Sequence, residues 1–150
     1  MTWRSSRGTG RCRRLARSVA ATRTAAIDPE PGVSIEAHRT YQLLIEVSRT
    51  VSVSIGRRGC FEFPAGDYIY TGSALRNFEA RIRRHQSSVK KMHWHIDYLL
   101  AAPGVRVREV LRHTEGECAV NQRVSGAIQV PGFGASDCRA ACVSHLKRVR

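Results

Sequence analysis

The sequence predicts one α/β domain of the α+β kind, in which a small antiparallel sheet is flanked by helices. Three observations predict it. The chain has 150 residues, which is the size of one ordinary domain. Hydrophobic residues make up 42% of it, which is sufficient for a modest core. Apolar residues alternate with polar ones in the first half of the body, and the spacing then becomes helical.

The predicted strands follow one another closely. Four short segments have the alternation, or the β-branched and aromatic content, that is typical of strands: 41–47, 51–55, 60–63 and 68–71. Glycine-containing turns separate them. Short strands joined by tight turns pair most simply as hairpins, so we expect residues 40–71 to form a small antiparallel sheet.

Helical spacing begins after Ser73, which is expected to cap the N-terminus of a helix. Apolar residues and one histidine then recur at helical intervals: Ala74, Leu75, Phe78, Ile82 and His85. Three later segments predict in turn a second helix or extended piece, a strand and a third helix: 93–101, 105–111 and 115–126.

The charge of the chain points to an anionic partner. The formal net charge is +13, and 22 of the 25 basic residues are arginines. Arginine has a planar guanidinium that suits phosphate, so nucleic acid is the first partner to expect. A membrane is not expected, because the longest apolar run, 98–105, is broken by Pro103 and Gly104.

Part of the charge lies in an N-terminal segment of different composition. Residues 1–27 hold seven arginines and no acidic residue. We interpret residues 1–34 as a basic disordered tail, or as a targeting or mis-started extension, and residues 35–150 as the folded domain. The segment lacks the apolar stretch of a secretory signal, so an intracellular location, in the cytoplasm or nucleoid, is expected, with organelle targeting as the alternative.

Five cysteines and no secretory signal predict reduced thiols rather than a disulfide framework. Four residues have the chemistry of a tetrahedral zinc site: Cys118, Cys138, Cys142 and His145. Their spacing is not that of a standard zinc knuckle, and Ala140-Ala141 between the two late cysteines is expected to disturb such a site. Buried thiols without a metal are the alternative.

Several residues of the body stand in an order that is typical of one nuclease family. Tyr41 lies on the first predicted strand, Tyr70-Thr71-Gly72 end a later one, and Arg81 and His85 follow on a helix. This order resembles the GIY-YIG nuclease superfamily. Arg39 stands where the superfamily has its first glycine, and Thr71 stands where it has isoleucine. The missing glycine bears on activity more than on fold.

Within the superfamily the chain is most similar to an uncharacterised subgroup that is sometimes found fused to endonuclease III. The likeness extends over about residues 40–146 and includes four motifs: 63–66, 68–74, 93–100 and 131–138. It implies a GIY-YIG-like fold and metal-dependent hydrolysis of nucleic-acid phosphodiesters, with DNA favoured over RNA.

The resemblance also implies roles for individual residues. Tyr41 and Tyr70 would activate a water molecule, Arg81 with His85 would act at the phosphate, and Glu117 would hold Mg²⁺ or Mn²⁺. Residues expected to contact the substrate are Gly72, Ser73, Arg84, His93 and His95.

Without the resemblance these residues have simpler interpretations. The tyrosines would be packing aromatics, Arg81 would lie on a solvated face, and Glu117 or its neighbour Glu115 would only favour a helix N-terminus. Two other functions therefore stay open at this point: a nucleic-acid-binding module of the same fold that does not cut, and a zinc-stabilised interaction domain. The oligomeric state cannot be predicted.

Overall fold

A computed structural model describes residues 37–150. The tail predicted for residues 1–34 lies outside this range. The described chain has six strands and three α-helices: β1 (Thr40–Val47), β2 (Val51–Ser54), β3 (Cys60–Phe63), β4 (Gly66–Ser73), α1 (Phe78–Gln86), α2 (His95–Leu100), β5 (Val105–His113), α3 (Glu117–Gln122) and β6 (Leu146–Arg148). A 3₁₀ turn, Gly56–Arg58, separates β2 from β3. The predicted α+β fold class is confirmed.

The main sheet has four antiparallel strands in the order β5-β1-β4-β6. Strands β2 and β3 form a separate two-stranded hairpin. The expectation of a single sheet across residues 40–71 was therefore only partly right. Strand β1 has two edges, and β4 and β5 occupy both, so no edge of β1 remains for β2.

The first helix begins later than its periodicity predicts. Ser73 is the last residue of β4, opposite Thr40, and Ala74 extends the ladder by donating its N–H to the Arg39 carbonyl. The residue before α1 is Asn77, which has a φ of 54° and no side-chain cap. Ser73 is therefore not an N-cap, because strand pairing takes it first, and Asn77 makes the turn since asparagine tolerates this conformation.

The later elements follow the predicted order with different bounds. Segment 93–101 contains a helix, 105–111 lies within a strand, and only the middle of 115–126 is helical. The three-residue strand β6 was not predicted. It carries two basic residues in three positions, so its place in the sheet comes from pairing with β4 and not from local pattern.

The core lies on the face of the sheet that carries the alternating residues of β1. Leu43 and Ile45 lie opposite Tyr70 and Tyr68 of β4, so these four side chains share that face. Helices α1 and α2 and the β2-β3 hairpin contribute further buried side chains: Ile82, Ile96, Leu99 and Phe63. No helix within 37–150 has the length and hydrophobicity needed to cross a membrane.

Candidate functional site

A pocket of about 350 Å³ opens where β1 and β4 meet the helices. Eight of the ten residues expected to act on or contact the substrate line it: Tyr41, Tyr70, Gly72, Ser73, Arg81, His93, His95 and Glu117. The remaining two, His85 and Arg84, lie outside its lining. The structure thus brings together residues that are up to 76 positions apart along the chain.

The two strands fix the tyrosines. Tyr41 lies opposite Gly72 in the β1-β4 ladder. A Cβ atom at position 72 would lie 2.6 Å from Cζ of Tyr41, so only glycine leaves space for the phenol. This close approach explains why a Tyr-x-Gly sequence suits the end of β4. Arg39, where the superfamily has glycine, lies outside that contact and gives its N–H to the His113 carbonyl.

Tyr41 is linked to two buried groups behind the pocket. Its hydroxyl lies 2.7 Å from Nε2 of His85. On the other side of the ring, Nδ1 of His85 lies 3.9 Å from Oδ1 of Asp97. We assign the tautomer that places the proton on Nδ1, facing the carboxylate, so that Nε2 accepts the hydrogen of Tyr41. His85 thus contacts the pocket residue Tyr41 and does not line the pocket itself.

Burial decides the protonation of these groups. It raises the pKa of Tyr41 well above its usual value, although Arg81 opposes the shift, and it does the same to Tyr70. Burial also lowers the pKa of His85 to about 4, against the attraction of Asp97. Both phenols and the imidazole are therefore neutral at neutral pH.

The buried imidazole predicts a loss of stability in acid. An unfolded chain protonates His85 below about pH 6.5, whereas the folded chain resists protonation until about pH 4. The free energy of unfolding therefore has its full value, as far as His85 is concerned, above pH 6.5. It falls as the pH is lowered, by about 2–3 kcal/mol at pH 4.5. Urea unfolding of wild type and His85→Gln at pH 7 and pH 4.5 measures this contribution.

We expect His85→Gln to flatten the pH dependence, since glutamine does not titrate. The exposed His38 offers a matched control, and His38→Gln should keep the wild-type dependence. Equal dependence in wild type and His85→Gln would show that the buried imidazole is not responsible.

Two arginines of α1 take different positions. Arg81 lines the pocket, donates from Nη1 to the Ser73 carbonyl at 2.7 Å, and lies 4.8 Å from the ring centre of Trp94. The Cζ atom of Arg84 lies 4.3 Å from the centre of the same ring, and both Nη atoms of Arg84 donate to Asp97, each at 2.9 Å. Arg84, which was expected to contact the substrate, lies outside the pocket lining, and its Nη atoms donate to Asp97 and to the Lys91 carbonyl.

His93, just before α2, and His95, its first residue, both line the pocket. His95 accepts the N–H of Gly134 at Nδ1, 3.1 Å away, and this ties α2 to the loop after residue 130. Gly134 has a φ of 66°, and a Cβ there would lie 2.8 Å from Cε2 of Tyr70. This loop brings Ser136 and Asp137 to the pocket. Both residues lie in the motif 131–138, which is part of the resemblance described above but to which no role was assigned.

Glu117 is the first residue of α3, and both of its carboxylate oxygens have partners. Oε2 accepts the hydroxyl of Ser73, and Oε1 lies 2.6 Å from Nδ1 of His145. Burial alone would raise the pKa of Glu117, but the hydrogen bonds from His145 and Ser73 lower it. Its competitor Glu115 pairs with Arg123 and is not part of the lining. Of the two glutamates, Glu117 is therefore the one that lines the pocket.

The candidate zinc ligands form a cluster directly behind Glu117. One ligand atom from each residue lies within 4.8 Å of the others in the set Cys118, Cys138, Cys142 and His145, which could hold a metal ion. The disturbance expected from Ala140-Ala141 is not seen. Ala141 has a φ of 57°, and the chain turns there so that both late thiols reach the cluster.

The protonation of the cluster follows from its own hydrogen bonds. The backbone N–H groups of Cys142 and Ala140 lower the pKa of Cys138 to about 6. Burial, together with the neighbouring thiols, raises the pKa of Cys118 to about 12. Burial would lower the pKa of His145, yet the hydrogen bond with Glu117 and the nearby thiols raise it to about 9.

Comparison with known proteins identifies the family. The chain matched no curated protein and no solved structure. One family model, described as a domain of unknown function, DUF123, matches residues 40–150, which span every strand and helix of the described fold. The chain therefore belongs to DUF123, a GIY-YIG-like family.

Proposed function

We propose that this protein is a metal-dependent endonuclease that hydrolyses phosphodiester bonds of nucleic acid. The observation that carries the proposal is the meeting of two phenols, one guanidinium and the Glu117 carboxylate in a single open pocket. The likeness to the subgroup found fused to endonuclease III favours DNA as the substrate.

Tyr41 activates the attacking water. A buried phenol with a raised pKa is a poor base by itself, because it does not ionise at neutral pH. The hydrogen bond to His85 removes this difficulty. As the phenol oxygen takes a proton from water, its own proton passes to Nε2, and the Asp97 carboxylate near Nδ1 stabilises the resulting imidazolium. Tyr70 helps to place the water from the neighbouring strand.

Arg81 compensates the charge that develops on the phosphoryl oxygens. Its guanidinium is held at the pocket by the Ser73 carbonyl and by the face of Trp94. The guanidinium lines the pocket beside Tyr41. A fixed planar donor set that needs no rearrangement is the kind of electrostatic stabilisation that most favours a transition state.

The pocket carboxylates fit a hard divalent ion. Mg²⁺ keeps several waters and needs one or two protein carboxylates, with further oxygens from substrate phosphate. Glu117 and Asp137 both line the pocket and would hold Mg²⁺ or Mn²⁺ there. Such an ion supplies charge stabilisation for the leaving oxygen. Each Glu117 oxygen has one hydrogen-bond partner and so retains a lone pair.

The missing glycine at position 39 is the best argument for a module that binds without cutting. The backbone at this position speaks against that argument. Within 37–150 positive φ values occur, apart from glycines, at Asn77 and Ala141 only, so Arg39 has a backbone that any residue adopts. Arginine at this position is therefore compatible with the backbone of the strand, and we favour the enzyme.

Cleavage of a panel of branched, nicked and duplex DNA in Mg²⁺ or Mn²⁺ tests the proposal. We expect wild type to cut at least one of these substrates and Arg81→Ala to cut it about 10²–10³-fold more slowly. Arg83→Ala is the matched control, since Arg83 lies on the same helix outside the pocket. Wild type that binds the panel without cutting any member would instead support the non-cleaving module.

A further inference from the structure

We propose that the Cys118, Cys138, Cys142 and His145 cluster binds one Zn²⁺ ion, and that this ion, through His145, holds Glu117 in the pocket. The first half concerns a metal site behind the pocket and is independent of catalysis. The second half rests on the proposed function, because it assigns the bound ion a part in orienting the carboxylate of that site.

The donor set and its dimensions suit zinc. Three thiols and one imidazole are the ligands of a closed tetrahedral zinc site. Ligands about 2.3 Å from a tetrahedral ion lie about 3.8 Å from each other. In the structure the sulfurs of Cys118 and Cys138 are 3.4 Å apart, and all four ligand atoms lie within 4.8 Å. Shifts of about 1 Å would therefore complete the site.

The backbone around Cys138 is already arranged for a thiolate. The backbone N–H groups of Ala140 and Cys142 lie close to its sulfur. In metal sites, N–H groups close to a ligand atom orient that ligand and stabilise its charged form. The residues between the two late cysteines therefore wrap around the sulfur, which explains why the unusual spacing does not separate the ligands.

His145 presents one nitrogen to each site. Nδ1 is bonded to Glu117, which leaves Nε2 as the atom for the metal. In the described part of the chain, Nε2 is buried and has no hydrogen-bond partner. A buried polar nitrogen without a partner is rare in native proteins, and an ion bound to the three thiols would satisfy it. The carboxylate on the opposite nitrogen is the usual second partner of a zinc-bound histidine.

The consequence for the pocket follows from the tautomer. A metal on Nε2 places the proton of His145 on Nδ1, and this proton must then be donated to Oε1 of Glu117. The hydroxyl of Ser73 holds the other oxygen. Glu117 thus has one oxygen fixed from the zinc side and one from the strand side, and its orientation in the pocket depends on the bound ion.

Metal analysis of the purified full chain tests the first half. We expect one zinc per chain in wild type, loss of zinc in Cys138→Ser and Cys142→Ser, and retention in Cys60→Ser, whose thiol is exposed on β3 outside the cluster. Replacement by Co²⁺ should give the intense visible absorption of a tetrahedral thiolate site.

Thiol labelling of wild type keeps this test valid where a variant fails to fold. Zinc should protect three of the five cysteines from a thiol reagent, and a chelator should expose them. Wild type that binds no zinc on reconstitution, shows no thiolate–cobalt absorption and gains no protection would overturn the proposal.

Zinc affinity measured against a chromophoric chelator tests the link to Glu117. We expect Glu117→Gln to lower the affinity by about 10–100-fold. Glu115→Gln should leave it unchanged, because Glu115 pairs with Arg123 and not with His145. Equal affinities in the two variants would refute the link.

These readouts separate the two proposals. Zinc binding with a Glu117-dependent affinity, in a protein that cuts no nucleic acid, would refute only the endonuclease. Cleavage that is unchanged when zinc is removed would refute only the orientation of Glu117 by the ion.

Discussion

Tyr41→Phe should slow nucleic-acid cleavage by about 10²–10⁴-fold, the usual effect of removing a positioned acid–base group. The phenyl ring keeps the packing against Phe78 and the fit over Gly72. Only the hydroxyl is lost, and with it the path that carries the water proton to Nε2 of His85. Single-turnover cleavage of the best substrate from the DNA panel, at saturating protein, measures the chemical step directly.

The control for this change is Tyr98→Phe. Tyr98 lies on α2, is partly buried beside the same core, and is not part of the pocket. We expect it to cut at the wild-type rate, and both variants to bind DNA as wild type does. Cleavage by Tyr41→Phe within a few-fold of wild type would contradict the proposed path and would transfer the role to Tyr70, which then becomes the variant to measure.

The sequence predicted the parts of the fold that local pattern decides. Residues 41–47 alternate because one face of β1 is buried, and this is visible without knowing its neighbours. Ser73 is a residue at which the local pattern is misleading. Its side chain and the spacing after it are those of a helix start, but pairing with Thr40 across the sheet outweighs this local preference. Strand β6 is a further case, because only β4 gives it an extended form.

The candidate site divides in the same manner. The resemblance implied that Tyr41, Arg81 and Glu117 belong to the site. The structure shows which residues contact them and fix their positions. Trp94 lies within the motif 93–100 but received no role from the sequence, because its role depends on the two arginines that reach its ring from another helix. Asp97 was missed for a similar reason: an acidic residue in the first turn of a helix is ordinary, and nothing local shows that it is fully buried.

Asp97→Ala should destabilise the fold by about 3–5 kcal/mol, the cost of breaking a buried ion pair from one side. The carboxylate is fully buried and accepts both Nη atoms of Arg84. It also accepts the backbone N–H groups of His93 and Trp94, each within 3.0 Å, and so begins α2. Alanine leaves all four donors without this acceptor. Urea unfolding at pH 7 gives the change in the free energy of unfolding.

The surface offers a matched control for this change. Asp67 contacts Arg108 and Arg150 at 3.6 and 3.9 Å in solvent-exposed pairs, so Asp67→Ala should cost less than about 1 kcal/mol. If both variants lose a similar amount of the free energy of unfolding, the buried ion pair of Asp97 contributes no more to stability than an exposed one.

A double variant identifies the source of the loss. If the unpaired guanidinium of Arg84 causes much of it, adding Arg84→Met to Asp97→Ala should recover part of the stability, because methionine fills similar space without a charge. If the backbone donors of His93 and Trp94 cause it instead, Asp97→Asn should recover more, since an amide oxygen still accepts their hydrogen bonds. In that case the same residue that stabilises the fold also fixes the pocket wall, because His93 and Trp94 both line it.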